Sequence, residues 1–271
     1  MPFKIEGISS DIKSMMFDMD GVIWKSNTPT GDLSYFFSTL QKNNIQYGFI
    51  TNNATKPIDI VQKRLASFGV YCEKEFIINS AIATAALLKE RFPNGGNLYI
   101  VGEEGLISTL AEAGYTHQNN PTEDTLAVVA GLDHGVNYQK LSTAASLIRK
   151  GAPFYGSNGD KTFPTPLGEV PGAGTILAAI AAASGVDPII AGKPQPFLLD
   201  LMIERMQTNH ENTLMIGDRL ETDILGGNNA GCPTLLVLSG VSTRKNIEEM
   251  NILPSIIRED IFELLTEFNN E

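Results

Sequence analysis

The run MMFDMDGVIW, residues 15–24, decides how the rest of the chain is read. Three apolar residues lead into Asp18 and Asp20, one position apart, and Gly21 follows. Two readings compete. Either the acids belong to a solvated acidic turn, or a buried strand delivers paired carboxylates to the edge of a sheet. DxDG alone is common in turns, so the choice rests on what the other strand ends carry.

Working outward, short β-like runs alternate with helix-like segments. QYGFITN (46–52), EFIIN (75–79), NLYIVG (97–102), LAVVAGL (126–132), PFYGSN (153–158), PIIAGK (188–193), TLMIGD (213–218) and PTLLVLSG (233–240) read as strands. DLSYFFSTLQKNN, PIDIVQKRLASFG and SAIATAALLKERF read as helices, with Pro57 suited to a first turn and Gly69 to a stop. Apolar runs separated by helices predict the α/β class, with a doubly wound, buried parallel sheet. Loop signals at PNGG (93–96) and GVDP (185–188) bracket a segment with its own strands and helices. The expected organisation is therefore a discontinuous core, 1–92 plus 188–271, interrupted by an inserted α/β cap domain at 93–187.

In this reading four core strand ends carry polar residues: Asp18 and Asp20; Thr51, Asn52 and Asn53; Lys193 between Gly192 and Pro194; and Asp218 with Asp223. Carboxyl ends of parallel strands share one edge, where ligands bind. Several carboxylates without histidine or thiolate make a hard oxygen site suited to Mg²⁺. A hydroxyl, backbone N–H groups and an ammonium suit a phosphate. Together these point to phosphoryl transfer through an aspartyl-phosphate.

Bulk properties agree. The chain has 271 residues, 42% of them hydrophobic and 19% charged, which describes an ordinary globular protein. A net charge of −11 argues against nucleic acid or an anionic membrane as partner, but not against a small anion held by a metal or a local lysine. Two distant cysteines exclude a disulfide framework and a cysteine-rich zinc site, and three scattered histidines argue against a His-based metal cluster. The N-terminal MPFKIEGISSDIKS has no signal-peptide core, and GTILAAIAAASG is too short to span a bilayer, so a cytoplasmic location is expected.

The motifs DMDGV, TNN, GKP and GDRLETDI, in that order, resemble those of haloacid dehalogenase (HAD)-like phosphatases. The chain between TNN and GKP resembles the 4-nitrophenyl phosphatase or NagD-like subgroup with a large α/β cap. VVAGLDHGVNYQKL, SNGDKTFP and VPGAGTILAAI look like its cap signatures. The resemblance implies that Asp18 is the nucleophile and that Asp20 protonates the leaving oxygen and then activates water. It makes Thr51 and Asn52 phosphate ligands and has Lys193 bridge phosphate and nucleophile. Asp218 would bind Mg²⁺ directly, with Asp223 supporting the metal or its waters and the Asp20 carbonyl also ligating it. Asn53, Asn158 and Asp160 would lie near the substrate entrance. The cap would close over the site and select the leaving group, and a cap-mediated homodimer is implied by resemblance alone. Ala54 stands where the family often has serine, and Phe163 suggests an apolar wall in the cap loop.

Asp218, Thr222 and Asp223 could simply cap a helix start, and Trp24 reads as packing rather than as a substrate clamp. The expected activity is a Mg²⁺-dependent phosphatase acting on a small-molecule phosphate ester. The alternatives are a phosphotransferase or mutase on sugar phosphates and, from another class, a non-enzymatic phospho-acceptor switch domain.

Overall fold

β1 (Ser14–Phe17) is buried along its whole length. The structure to which it belongs is a computed structural model that describes residues 3–165 and 168–269. After β1 the chain forms a small antiparallel hairpin, β2 (Trp24–Lys25) with β3 (Thr28–Pro29). α1 (Leu33–Lys42) starts where the Asp32 carboxylate accepts the Tyr35 N–H, and it buries Leu33, Phe36, Phe37 and Leu40 along one stripe. Phe36 and Phe37 meet Phe17 edge-on, with ring centroids 5.9 and 5.2 Å away, which fastens the helix to β1. β4 (Gln46–Thr51), α2 (Ile58–Ser67) and β5 (Ile77–Asn79) follow.

Next come α3 (Ser80–Arg91), β6 (Gly96–Val101), α4 (Glu104–Glu112), β7 (Tyr115–His117), β8 (Ala127–Ala130), α5 (Tyr138–Arg149), β9 (Phe154–Gly156), the hairpin β10 (Thr162–Thr165)–β11 (Gly168–Pro171), α6 (Ala173–Ser184) and β12 (Ile189–Ile190). Their main sheet is parallel, in the order β12-β9-β8-β6-β7. Alternation along its strands builds two apolar layers. Leu98 and Ile100 face Ala81, Ala85 and Leu88 of α3 and Leu106 and Leu110 of α4. Tyr99 and Val101 face Ala144 and Ile148 of α5 and Ile176, Leu177 and Ile180 of α6. The Phe163 side chain, an apolar wall in the sequence reading, lies outside the described residues.

The chain then returns through α7 (Phe197–Met206), β13 (Thr213–Gly217), α8 (Leu225–Ala230), β14 (Thr234–Val237), α9 (Arg244–Met250) and β15 (Ile256–Arg258). The six-stranded sheet runs β15-β14-β13-β1-β4-β5. β1 pairs in parallel with β4 on one side and with β13 on the other, so connections leave it in opposite directions. Its carboxyl end is the switch point where such sheets bind ligands.

Two compact units result: Met1–Thr51, Val61–Ile78 and Lys193–Glu271 form one, and Asn52–Ile60 with Asn79–Gly192 the other. These divisions differ from those read in the sequence, because α3 packs its apolar face on β6. A second difference concerns Lys193. Ile189 and Ile190 pair with Tyr155 and Gly156 in the five-stranded sheet, so Lys193 follows no strand of the core sheet. It stands in the segment that leads into α7. No described helix is long and apolar enough to cross a membrane.

Phe17 has no exposed surface and packs against three other phenylalanines. Phe17→Ala should therefore cost about 3–5 kcal/mol of unfolding free energy in urea titrations. Leu253→Ala, at a residue 67% exposed, should change stability by less than about 0.5 kcal/mol.

Candidate active site

The chain direction of β1 carries Asp18 just beyond the sheet, where its N–H still donates to Ile216 O at 2.9 Å. Gly21, at φ +88°, then turns the backbone sharply, and any Cβ there would overlap the Asp218 carboxylate. Asp218 follows the end of β13, and a wide π-type turn at Leu220–Ile224 brings Asp223 back to the same place. The Arg219 N–H donates to Asp223 Oδ2 at 3.0 Å, which fixes that carboxylate.

Lys193 joins these elements. Its ammonium is 1% exposed and donates to Asp18 Oδ1 and to Asp223 Oδ1, each at 2.6 Å, and reaches Ile50 O of β4 at 3.5 Å. Burial alone would lower its pKa, but the two carboxylates raise it above the ordinary lysine value. Burial also pushes the Asp18 carboxyl well up, a rise that Lys193 opposes and that Asp223 and Asp218 reinforce. Asp218 is pushed up to about 7 by burial and by the charge of Asp223, against the Val241 N–H that favours its ionised form.

Carboxylate oxygens of Asp18, Asp218 and Asp223 lie within 4.8 Å of one another, and all three residues are buried. Three carboxylates against one ammonium leave two negative charges in a desolvated place when all are ionised. A hard divalent cation matches both that deficit and an all-oxygen donor set, so the residues present fit such an ion.

Of the other sequence-predicted residues, Thr51 ends β4 and is buried. Asp20 is only half-buried and accepts from the Trp24 indole N–H. Within the other unit, Asn52 Nδ2 donates to Asp160 Oδ1 at 2.9 Å, and Asn158 Nδ2 donates to Asn52 O at 2.7 Å. Asn158 therefore ties the Ser157–Asp160 loop to Asn52. Asn53 Oδ1 accepts from the Thr55 N–H and hydroxyl, an Asx-type turn.

Sequence reasoning missed the loop after β14. Val241 N–H donates to Asp218 Oδ2 at 2.8 Å, Ser242 N–H to Asp218 O at 3.0 Å, and Ser239 Oγ to Gly21 O at 2.8 Å. Gly240 leaves no room for a Cβ beside the Asp218 carboxylate. The available signal is the Ser239-Gly240 pair at a strand end, which as sequence reads only as the close of an apolar run.

Comparisons with known proteins identify the family. Residues 15–116 match the haloacid dehalogenase-like hydrolase family, and residues 190–264 match a HAD-hydrolase-like family. The chain is a member of the haloacid dehalogenase-like hydrolases, in the 4-nitrophenyl phosphatase and NagD-like group whose α/β core carries a cap domain. It is 33% identical over 255 residues to the acid sugar phosphatase of Staphylococcus saprophyticus, which covers 94% of this chain and 97% of the relative. The p-nitrophenyl phosphatase of Archaeoglobus fulgidus superposes with a TM-score of 0.88 at 28% identity, covering 94% of this chain and 99% of the other. A glycerol phosphate phosphatase from Mycobacterium tuberculosis, solved in complex with calcium, superposes at 0.84 and 33% identity, over 94% of this chain and 74% of that one.

The metal-free protein should lose stability as pH rises from about 3.8 to about 7. Over that window folded Asp218 holds a proton that the unfolded chain has released. A divalent cation competes with that proton. The rise in melting temperature on adding the cation should therefore be larger near pH 8 than near pH 5. Equal rises at both values, read by thermal fluorimetry against an EDTA control, would refute the shared carboxylate site.

Proposed function

We propose that the chain is a Mg²⁺-dependent phosphatase that hydrolyses a small-molecule phosphate monoester through an aspartyl-phosphate on Asp18. The observation that carries this reading is the buried ammonium of Lys193, hydrogen-bonded at once to Asp18 and Asp223. A lysine so held keeps one oxygen of Asp18 oriented and adds positive charge where a phosphoryl group would be attacked. Mg²⁺ would be held by Asp18, Asp218 and Asp223 with the Asp20 carbonyl, and it would neutralise charge on the transferring phosphoryl group.

The residues divide the work as follows. An Asp18 carboxylate oxygen attacks phosphorus, and the bond from phosphorus to the ester oxygen breaks. Asp20, protonated at that moment, gives its proton to the leaving oxygen. The resulting Asp20 carboxylate then takes a proton from water, whose oxygen attacks the phosphorus of phospho-Asp18. Asp18 leaves as carboxylate, and the net products are an alcohol and inorganic phosphate. Thr51 offers a hydroxyl to the phosphate from the end of β4. The names of the relatives, an acid sugar phosphatase and a glycerol phosphate phosphatase, support a polyol or sugar phosphate as substrate. A receiver-type switch has no need of Asp20 or of an inserted cap, and hydrolysis accounts for both.

Asp18→Asn should lower turnover of 4-nitrophenyl phosphate by at least about a thousandfold, with the circular dichroism spectrum unchanged. EDTA should abolish wild-type turnover, and Mg²⁺ should restore it. Substantial activity in the variant would overturn the nucleophile. Indifference to EDTA would overturn the metal.

A further inference from the structure

Trp24 is the chain's single tryptophan, and it is almost wholly buried. Its indole N–H donates to Asp20 Oδ1 at 2.9 Å. A buried indole N–H needs a partner, and any nearby carbonyl would satisfy it. Here the partner is instead a carboxylate, four residues earlier in the chain.

The backbone between them is built to hold that pairing. Ile23 and Trp24 N–H groups both turn back to Met19 O, at 2.8 and 3.2 Å, and Gly21 N–H donates to Trp24 O at 2.8 Å. Thr30 Oγ closes the loop by donating to Val22 O at 2.8 Å. The indole ring is held as well. The Arg64 guanidinium lies over it, 4.1 Å from the centroid, and the Phe68 ring centroid is 6.1 Å away. A cation over the ring draws π-density and makes the N–H a stronger donor. Arg64 is itself fastened, through a hydrogen bond to Ser26 O. Asp20 Oδ2 takes no hydrogen bond among the described residues. One carboxylate oxygen is thus anchored and the other is left for a proton.

We infer that Trp24 is a positioning residue for proton transfer: its indole N–H, backed by Arg64, holds Asp20 by Oδ1 so that Oδ2 carries the proton to the leaving group. This rests on the phosphatase reading above, and in particular on Asp20 as the acid. It also departs from Trp24 as mere packing, the meaning its sequence context suggested.

The test uses the dependence of the first step on its leaving group. An alkoxide cannot leave without a proton, whereas 4-nitrophenolate can. Trp24→Phe keeps a ring against Arg64 and Phe68 but removes the N–H. Loss of one hydrogen bond to a charged group corresponds to roughly tenfold to a hundredfold in rate. Single-turnover alcohol release from an alkyl phosphate such as glycerol 3-phosphate should therefore fall at least about tenfold further than nitrophenolate release from 4-nitrophenyl phosphate. Asp20→Asn, run beside it, should show the same selectivity more strongly.

If Asp20→Asn is selective and Trp24→Phe slows both substrates equally, slows neither, or speeds either, the inference about Trp24 fails and the phosphatase reading stands. If Asp20→Asn itself shows no selectivity, the acid role of Asp20 fails. A second measurement does not depend on how well Trp24→Phe folds. The single indole N–H resonance in a ¹⁵N-labelled sample should move upfield in Asp20→Ala, and an unmoved resonance would overturn the inference.

Discussion

The buried ammonium of Lys193 is the constraint on which the core depends. A lone charge at 1% exposure would be strongly destabilising, and so would the carboxylates around it. Each is tolerated only because the other is there. The pairing therefore fixes three separate pieces of chain against one another: the end of β1, the turn at Leu220–Ile224 and the segment leading into α7. The compensation is incomplete, since one ammonium faces three acids. That incompleteness is the charge deficit a divalent cation would fit, while Lys193 keeps Asp18 anchored.

The two acids of DMDG have separate surroundings, although only one residue lies between them. Asp18 faces Lys193 and the other buried carboxylates, whereas Asp20 is half-buried and faces an indole and a guanidinium. The sharp turn at Gly21 makes this possible by sending the chain away from the sheet immediately after Asp20. Two identical side chains thereby acquire unlike environments, which is what the proposed division of work between them needs.

Much of this was legible in the sequence, for a physical reason. A strand buried on both faces is mostly apolar along its run, so the polar residue at its carboxyl end stands out, as at Asp18, Thr51 and Asp218. The sequence suggests that Lys193 closes a strand of the core sheet, whereas the strand before it belongs to the five-stranded sheet. The two isoleucines before it suit either sheet, and only their pairing with Tyr155 and Gly156 settles the matter. The compact units differ from the expected bounds around α3 for a related reason: α3 is rich in alanine, and its sequence does not say which sheet its small face will cover. Partner choice was least legible. That the Trp24 indole would find Asp20, that Val241 would donate to Asp218, and that Asn53 would bend its own chain all depend on side-chain directions that no periodicity encodes.

The sheet order also governs when the site can exist. Ser14 in β1 pairs with Thr213 in β13, their hydroxyls 2.8 Å apart across 199 residues of chain. Residues 79–192, by contrast, are contiguous, and the strands of their sheet are complete by Ile190. On a ribosome, where N-terminal chain emerges first, the inserted unit has all its parts before the core sheet can close. Until then Asp18 lacks both its lysine and its fellow acids. The cluster of Asp18, Lys193, Asp218 and Asp223 therefore comes together only when the last third of the polypeptide docks beside β1.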